Sequence, residues 1–278
     1  MKPDPKYSAH TSTFWAAVRY VSQEAGYATK GAALAHEADR VRAVFIDRGL
    51  AAESLSVKLP SGETLADAIV DYLGYRARVL NDEIRDNLMD AAEAATLFDQ
   101  LGKKLKPSCP LPMNKQKGEK RTRAFLTCIV NMLVQRQSAG CTVDYDPHSL
   151  VLLTRDNRPE VTLSRRFDGC FPSTTDPIAV WEIKEYYYAT TFGSRVADGV
   201  YESLLDGLEL RDAELALGRR VGHYLFLDGK LTWWQQGKSY LCRIVDMMNM
   251  GLVDEVLVGR EVVDRLPGLV EEWCASVK

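Results

Sequence analysis

Several function classes are excluded by what this 278-residue sequence does not contain. Its six cysteines (Cys109, Cys128, Cys141, Cys170, Cys242, Cys274) form no C-x-x-C pair, and none of its four histidines stands at zinc-ligand spacing. A zinc finger and a disulfide scaffold are therefore not indicated, and the thiols are expected to be reduced core residues. No apolar run approaches the roughly 20 residues of a membrane span, and Met1 to Tyr7 is polar rather than signal-like, so a cytoplasmic protein with no membrane partner is expected. A surplus of positive charge is also missing: the formal net charge is -3, so any basic surface must be local. There is no phosphate-binding glycine loop and no G-x-S-x-G, which argues against a nucleotide cofactor and against a serine-hydrolase elbow.

What is present is the composition of a folded protein, 46% hydrophobic and 26% charged, with length for two domains. From Ser12 to about Leu101 apolar residues recur at helical spacing, with Ser61 or Thr64 as an N-cap and Gly26, Gly31, Gly49 and Gly102 where helices end. Pro107, Pro110 and Pro112 then break the pattern. We therefore expect an all-helical N-terminal domain over residues 1–106, serving recognition or oligomerisation, and a second domain over 107–278. Between Gly102 and Arg123 eight basic residues face one acid, Glu119.

The second domain reads as α/β. A helix runs to about Gln137. Short β-prone runs follow at Thr142 to Tyr145, Leu150 to Thr154, Val161 to Phe167 and Ile178 to Tyr188. A helix is expected from Ser194 to about Leu217, and Asp228-Gly229 signals a hairpin between Tyr224 and Trp234. Further elements are a helix over Tyr240 to Met250, a strand over Val253 to Val258 and a closing helix over Glu261 to Val277.

In the apolar strand around Trp181, Glu182 and Lys184 are the interruptions. Strand side chains alternate, so the carboxylate and the ammonium share one face while Trp181 and Ile183 take the other. Asp168 ends the preceding β-prone run, and a short return brings it toward Glu182. An Asp-Gly pair also marks ordinary turns, but two carboxylates meeting at strand ends make a hard-oxygen site suited to magnesium.

An Asp followed by a (D/E)-x-K triplet on the next strand, here Glu182-Ile183-Lys184, resembles the PD-(D/E)xK nuclease superfamily, which includes many restriction enzymes. Phe167 stands where that motif has proline. The resemblance implies a mixed central β-sheet flanked by helices, an α+β fold. It also implies Mg2+-dependent (or Mn2+-dependent) hydrolysis of phosphodiester bonds. By residue, it implies metal binding by Asp168, Glu182 and the Ile183 carbonyl, assistance by Lys184, and a further acid on a preceding helix, for which Glu119 is the candidate. Double-stranded DNA is the expected substrate, with a restriction-type or phage-defence role and a homodimer to cut both strands. Lys115, Lys117, Lys120, Arg121 and Arg123, with Arg165 and Arg166, are candidate phosphate contacts. Thr191, Ser194 and Arg195 sit at a presumed helix N-terminus that favours an anion. The alternatives are a same-fold nuclease acting on RNA, branched DNA or transposon ends, and a non-catalytic nucleic-acid- or partner-binding scaffold.

Overall fold

A computed structural model describes residues 1–116, 119–138, 140–187 and 194–277. Lys117 and Thr191 lie outside the described residues, and only the backbone of Lys115, Glu119, Lys120, Arg121 and Ser194 is described.

The N-terminal part is helical, as its periodicity predicts. After a first turn, α1 (Pro5–Ser8), come α2 (Ser12–Ala25), α3 (Ala38–Asp47) and α4 (Leu65–Arg78), and α4 continues into a π-helical stretch, Val79–Ile84. Thr64 caps α4 by accepting from Asp67 N at 3.2 Å, and Gly26, at φ 99°, closes α2 in a conformation that L side chains rarely adopt. Phe14, Val18 and Val21 of α2 pack with Val41, Val44, Ile69, Tyr72 and Leu73 in one apolar cluster. The stretch that follows, Val79 to Leu88, instead joins the core of the sheet region. The fully buried Arg76 pairs with Asp246 at 3.0 Å, and Asp246 also accepts from Tyr72 Oη at 2.7 Å.

Helix α5 (Ala91–Leu105) leads through the proline segment into a hairpin, β1 (Met113–Gln116) and β2 (Glu119–Arg123), and then α6 (Phe125–Gln137). Glu119 therefore opens a strand and is not carried on a helix, which corrects the expectation for that residue. A second hairpin, β3 (Leu152–Arg155) and β4 (Arg158–Thr162), precedes the main sheet. That sheet has the order β5 (Gly169–Phe171), β6 (Ala179–Lys184), β7 (Gly222–Leu227), β8 (Glu255–Val258). Strand β5 is antiparallel to β6, and the remaining pairs are parallel.

Helix α7 (Ser194–Leu217) makes the crossover from β6 to β7, and α8 (Lys238–Asn249) and α9 (Glu261–Val277) complete the layers. On one face Trp181, Ile183, Phe226 and Leu257 pack on α6 and α9. On the other, Leu225, Leu227, Val256 and Val258 pack with residues of α7 and α8. The fold is thus a mixed sheet between helices. Among the described residues no helix is long and apolar enough to cross a membrane, and all six cysteines are free.

Three expected elements differ, each for a physical reason. The run Val161 to Phe167 leaves the sheet after Thr162, because Ser164 and Arg165 are drawn to carboxylates of α7. Asp168 consequently stands just before β5 and does not end a strand. Thr142 to Tyr145 contributes only the bridge between Asp144 and Cys170. No hairpin forms at Asp228-Gly229, since both edges of β7 are already paired with β6 and β8. The chain turns there into a π-helical stretch, Lys230–Gln236, that buries both Trp233 and Trp234.

Candidate active site at the strand ends

The register sets the geometry. Gly169 pairs with Trp181 in antiparallel fashion, so one step further Asp168 stands opposite Glu182. Side chains opposite each other in antiparallel strands share a face, and alternation along β6 adds Lys184 to that face. The Asp168 carboxylate accepts from Ile183 N at 2.7 Å, and its own N–H donates to the Trp181 carbonyl at 3.1 Å, pinning the residue to β6. Gly169 is required for this approach, because a Cβ there would lie 2.0 Å from the Trp181 ring.

Glu182 and Lys184 are both buried, and the ammonium donates to Glu182 Oε2 at 2.8 Å. Burial works against the charge on Lys184, but the Glu182 carboxylate outweighs it and holds the ammonium above its ordinary value. Arg165 enters from the segment before β5. Its Nη1 donates to Asp206 Oδ2 at 2.8 Å and lies 3.0 Å from Glu182 Oε1, while Nη2 donates to Glu202 Oε2 at 3.3 Å. Asp168 keeps an exposed edge beside β6, and the surrounding protein partly desolvates its carboxyl. That desolvation and the neighbouring Glu182 carboxylate push its carboxyl up to about 7. Asp206, fully buried on α7, is raised to about 7 by burial despite Arg165.

Glu202 and Asp206 are site residues that sequence reasoning missed. They lie four apart on α7 and so share one helix face, with Glu209 continuing the stripe to Ser164 N and Oγ. The spacing was readable, but not which face of α7 meets the sheet. Gly199 lets α7 come close to β6: a Cβ there would fall 2.6 Å from Tyr186 Oη and 3.4 Å from Lys184 Cδ. Glu185 was missed too. Alternation turns it to the opposite face, where it accepts from Thr127 N at 3.0 Å and Thr127 Oγ1 at 2.9 Å, at the first turn of α6.

The remaining candidates fall in two groups. Arg166 and Arg195 are exposed, and exposed Arg123 donates to the Leu111 carbonyl at 2.6 Å. Lys115, Lys120 and Arg121 lie on the β1–β2 hairpin, with side chains outside the described residues, as for Ser194 at the start of α7. The hairpin runs directly into α6, whose first turn is held by the residue after Lys184, so the basic segment enters at the same end of the sheet. His223 is buried with Nδ1 2.8 Å from the Leu252 carbonyl, a structural placement.

The donor set suits a hard cation. Glu182 Oε1 and Asp206 Oδ1 are buried without a hydrogen-bond partner; Arg165 is near the first but off its bonding direction. Among the described residues no three His, Cys, Asp or Glu side chains enclose a metal position. Magnesium does not need such a cage, since it binds through one or two carboxylates and takes its other oxygens from water and phosphate. Asp168, Glu182 and the Ile183 carbonyl fit that demand. The Ile183 carbonyl also accepts from Glu185 N at 3.2 Å.

No curated protein and no solved structure matches the chain. Residues 1–83 match a family described as Domain of unknown function (DUF7690). Residues 89–273, more than half of the chain and the part that holds Asp168, Glu182, Lys184, Arg165 and Asp206, match another, and the protein belongs to that family, described as Domain of unknown function (DUF7687).

Proposed function

We propose that the protein is a metal-dependent nuclease that hydrolyses phosphodiester bonds of double-stranded DNA, with Mg2+ as its ion and Mn2+ as a substitute. The observation that carries this reading is the placement of Asp168 opposite Glu182 with Lys184 on the same face. A magnesium ion between those carboxylates would polarise the scissile phosphate and lower the pKa of an attacking water.

The chain's own groups do the rest. Asp168 and Glu182 supply the hard oxygens, held in place by the β5–β6 register. The Lys184 ammonium donates to Glu182 at 2.8 Å and to Glu202 at 3.4 Å, leaving its third N–H for charge that develops on the phosphate. Arg165, a quarter exposed, can offer its guanidinium fork to a phosphate oxygen once a cation replaces it at Glu182. The basic β1–β2 hairpin supports backbone contacts independent of base sequence. A cytoplasmic restriction-type or phage-defence role, with a homodimer to cut both strands, rests on the resemblance alone.

The test is plasmid, phage and RNA substrates incubated with Mg2+, Mn2+ or chelator, beside Lys184→Ala. Cleavage by the parent that chelator abolishes, and a loss of at least ~100-fold in Lys184→Ala, are expected for a group that stabilises the transition state. A second reading is favoured by the ion pairs of Arg165, which occupy Glu182 and Asp206: a nucleic-acid-binding scaffold without catalysis. Equal behaviour of parent and Lys184→Ala would select it.

A further inference from the structure

A cavity of about 400 Å3 opens between α2, α7 and α8, lined by Arg19, Tyr20, Tyr27, Tyr201 and Arg243 and, among the described residues, by no acid. Both guanidinium groups there lack the carboxylate partner that several other arginines of the protein have. Arg76, Arg165, Arg220 and Arg265 each meet a carboxylate. Arg19 and Arg243 have none within ion-pair distance among the described residues.

Arg243 is held by aromatic groups, 5.1 Å from the Tyr27 ring centre and 5.4 Å from that of Tyr240, with Nη1 donating to Tyr201 Oη at 3.1 Å. Arg19 has Nη2 3.1 Å from Met250 Sδ, a weak acceptor. Two positive groups fixed at a partly apolar cavity without counter-charge call for an anion, and the guanidinium fork matches a phosphate. Tyr20 and Tyr201 line the cavity and are 36% and 53% exposed, which leaves aromatic surface available for a base to stack on. Inorganic phosphate would leave that surface unused, and an uncharged aromatic would leave the arginines unpaired. The volume lies within the range of small-ligand clefts.

We propose that this cavity binds a nucleoside phosphate, with the phosphate on Arg19 and Arg243 and the base against Tyr20 or Tyr201. It is separate from the carboxylate site: α7 gives Tyr201 to the cavity and the next residue, Glu202, to Arg165.

The full chain is titrated calorimetrically, in chelator so that hydrolysis does not enter, with AMP, adenosine, inorganic phosphate and a 5′-phosphorylated hexanucleotide. Binding of AMP at least ~10-fold tighter than adenosine or phosphate supports the proposal, and identifies a free nucleotide. Binding of the hexanucleotide alone supports it too, and identifies a nucleotide within a strand. In either case Arg19→Ala and Tyr201→Ala, both at accessible positions, should each weaken binding about 10-fold with an unchanged melting temperature; Arg19→Lys should fall between. No binding of either nucleotide probe, or equal binding by parent and variants, overturns it. A protein that fails to cleave DNA yet gives these affinities refutes only the nuclease reading.

Discussion

Arg165→Ala separates an electrostatic clamp from a metal site. In the parent the guanidinium faces three carboxylates, Glu182, Glu202 and Asp206, of which the first and last are buried. Removing one partner of a buried ion pair costs about 3–5 kcal/mol, because the remaining charge is left uncompensated. Arg165 is a quarter exposed, so the lower figure, about 3 kcal/mol, is expected at pH 8.

The pH dependence follows from Asp206. An acid whose folded-state value is raised above its unfolded value costs no stability while both states are protonated. It loses stability as pH climbs from the unfolded value to the folded one. For Asp206 that window runs from 3.8 to about 7, and loss of Arg165 extends it upward, so the variant's deficit should be small at pH 4 and largest above pH 7.

Urea unfolding at pH 5 and pH 8 measures both. Added Mg2+ or Mn2+ should restore stability to the variant, by about 2.7 kcal/mol at a hundredfold excess over the dissociation constant, since a cation then takes the place of the guanidinium. A deficit that is independent of pH and that 10-millimolar-range metal does not touch would refute the view of these carboxylates as a cation site.

Two further outcomes test the frame around the site. Asp246→Ala strands the fully buried Arg76 and removes the acceptor of Tyr72, so a loss of about 3–5 kcal/mol in urea unfolding is expected, whereas Arg76→Met with Asp246→Leu should come out near neutral. Gly169→Ala sets a Cβ 2.0 Å from the Trp181 ring; a destabilisation of about 1–3 kcal/mol by overpacking should accompany a change in near-ultraviolet tryptophan circular dichroism, and an unaltered spectrum would count against the packing described here.

Some of the molecule was legible from residue order alone. Thr64 and Gly26 marked helix ends because capping is a local matter, settled by one side chain or one φ angle. The helical spacing of Phe14, Val18 and Val21 was enough to place an apolar face, and the alternation around Trp181 put Glu182 and Lys184 on a common side for the same local reason.

Whatever depended on which surfaces meet was decided only by tertiary packing. Asp228 has the local chemistry of a turn, yet β7 had no free edge for a hairpin, and the carboxyl is buried to accept from Tyr186 N and Trp233 Nε1. Arg165 left the expected strand because α7 carries Asp206 and Glu202 to it, a pairing across 41 and 37 residues that no local pattern encodes. Periodicity says that a helix has a face; the Coulombic and steric fit of α7 against β6, through Gly199, determines where that face points.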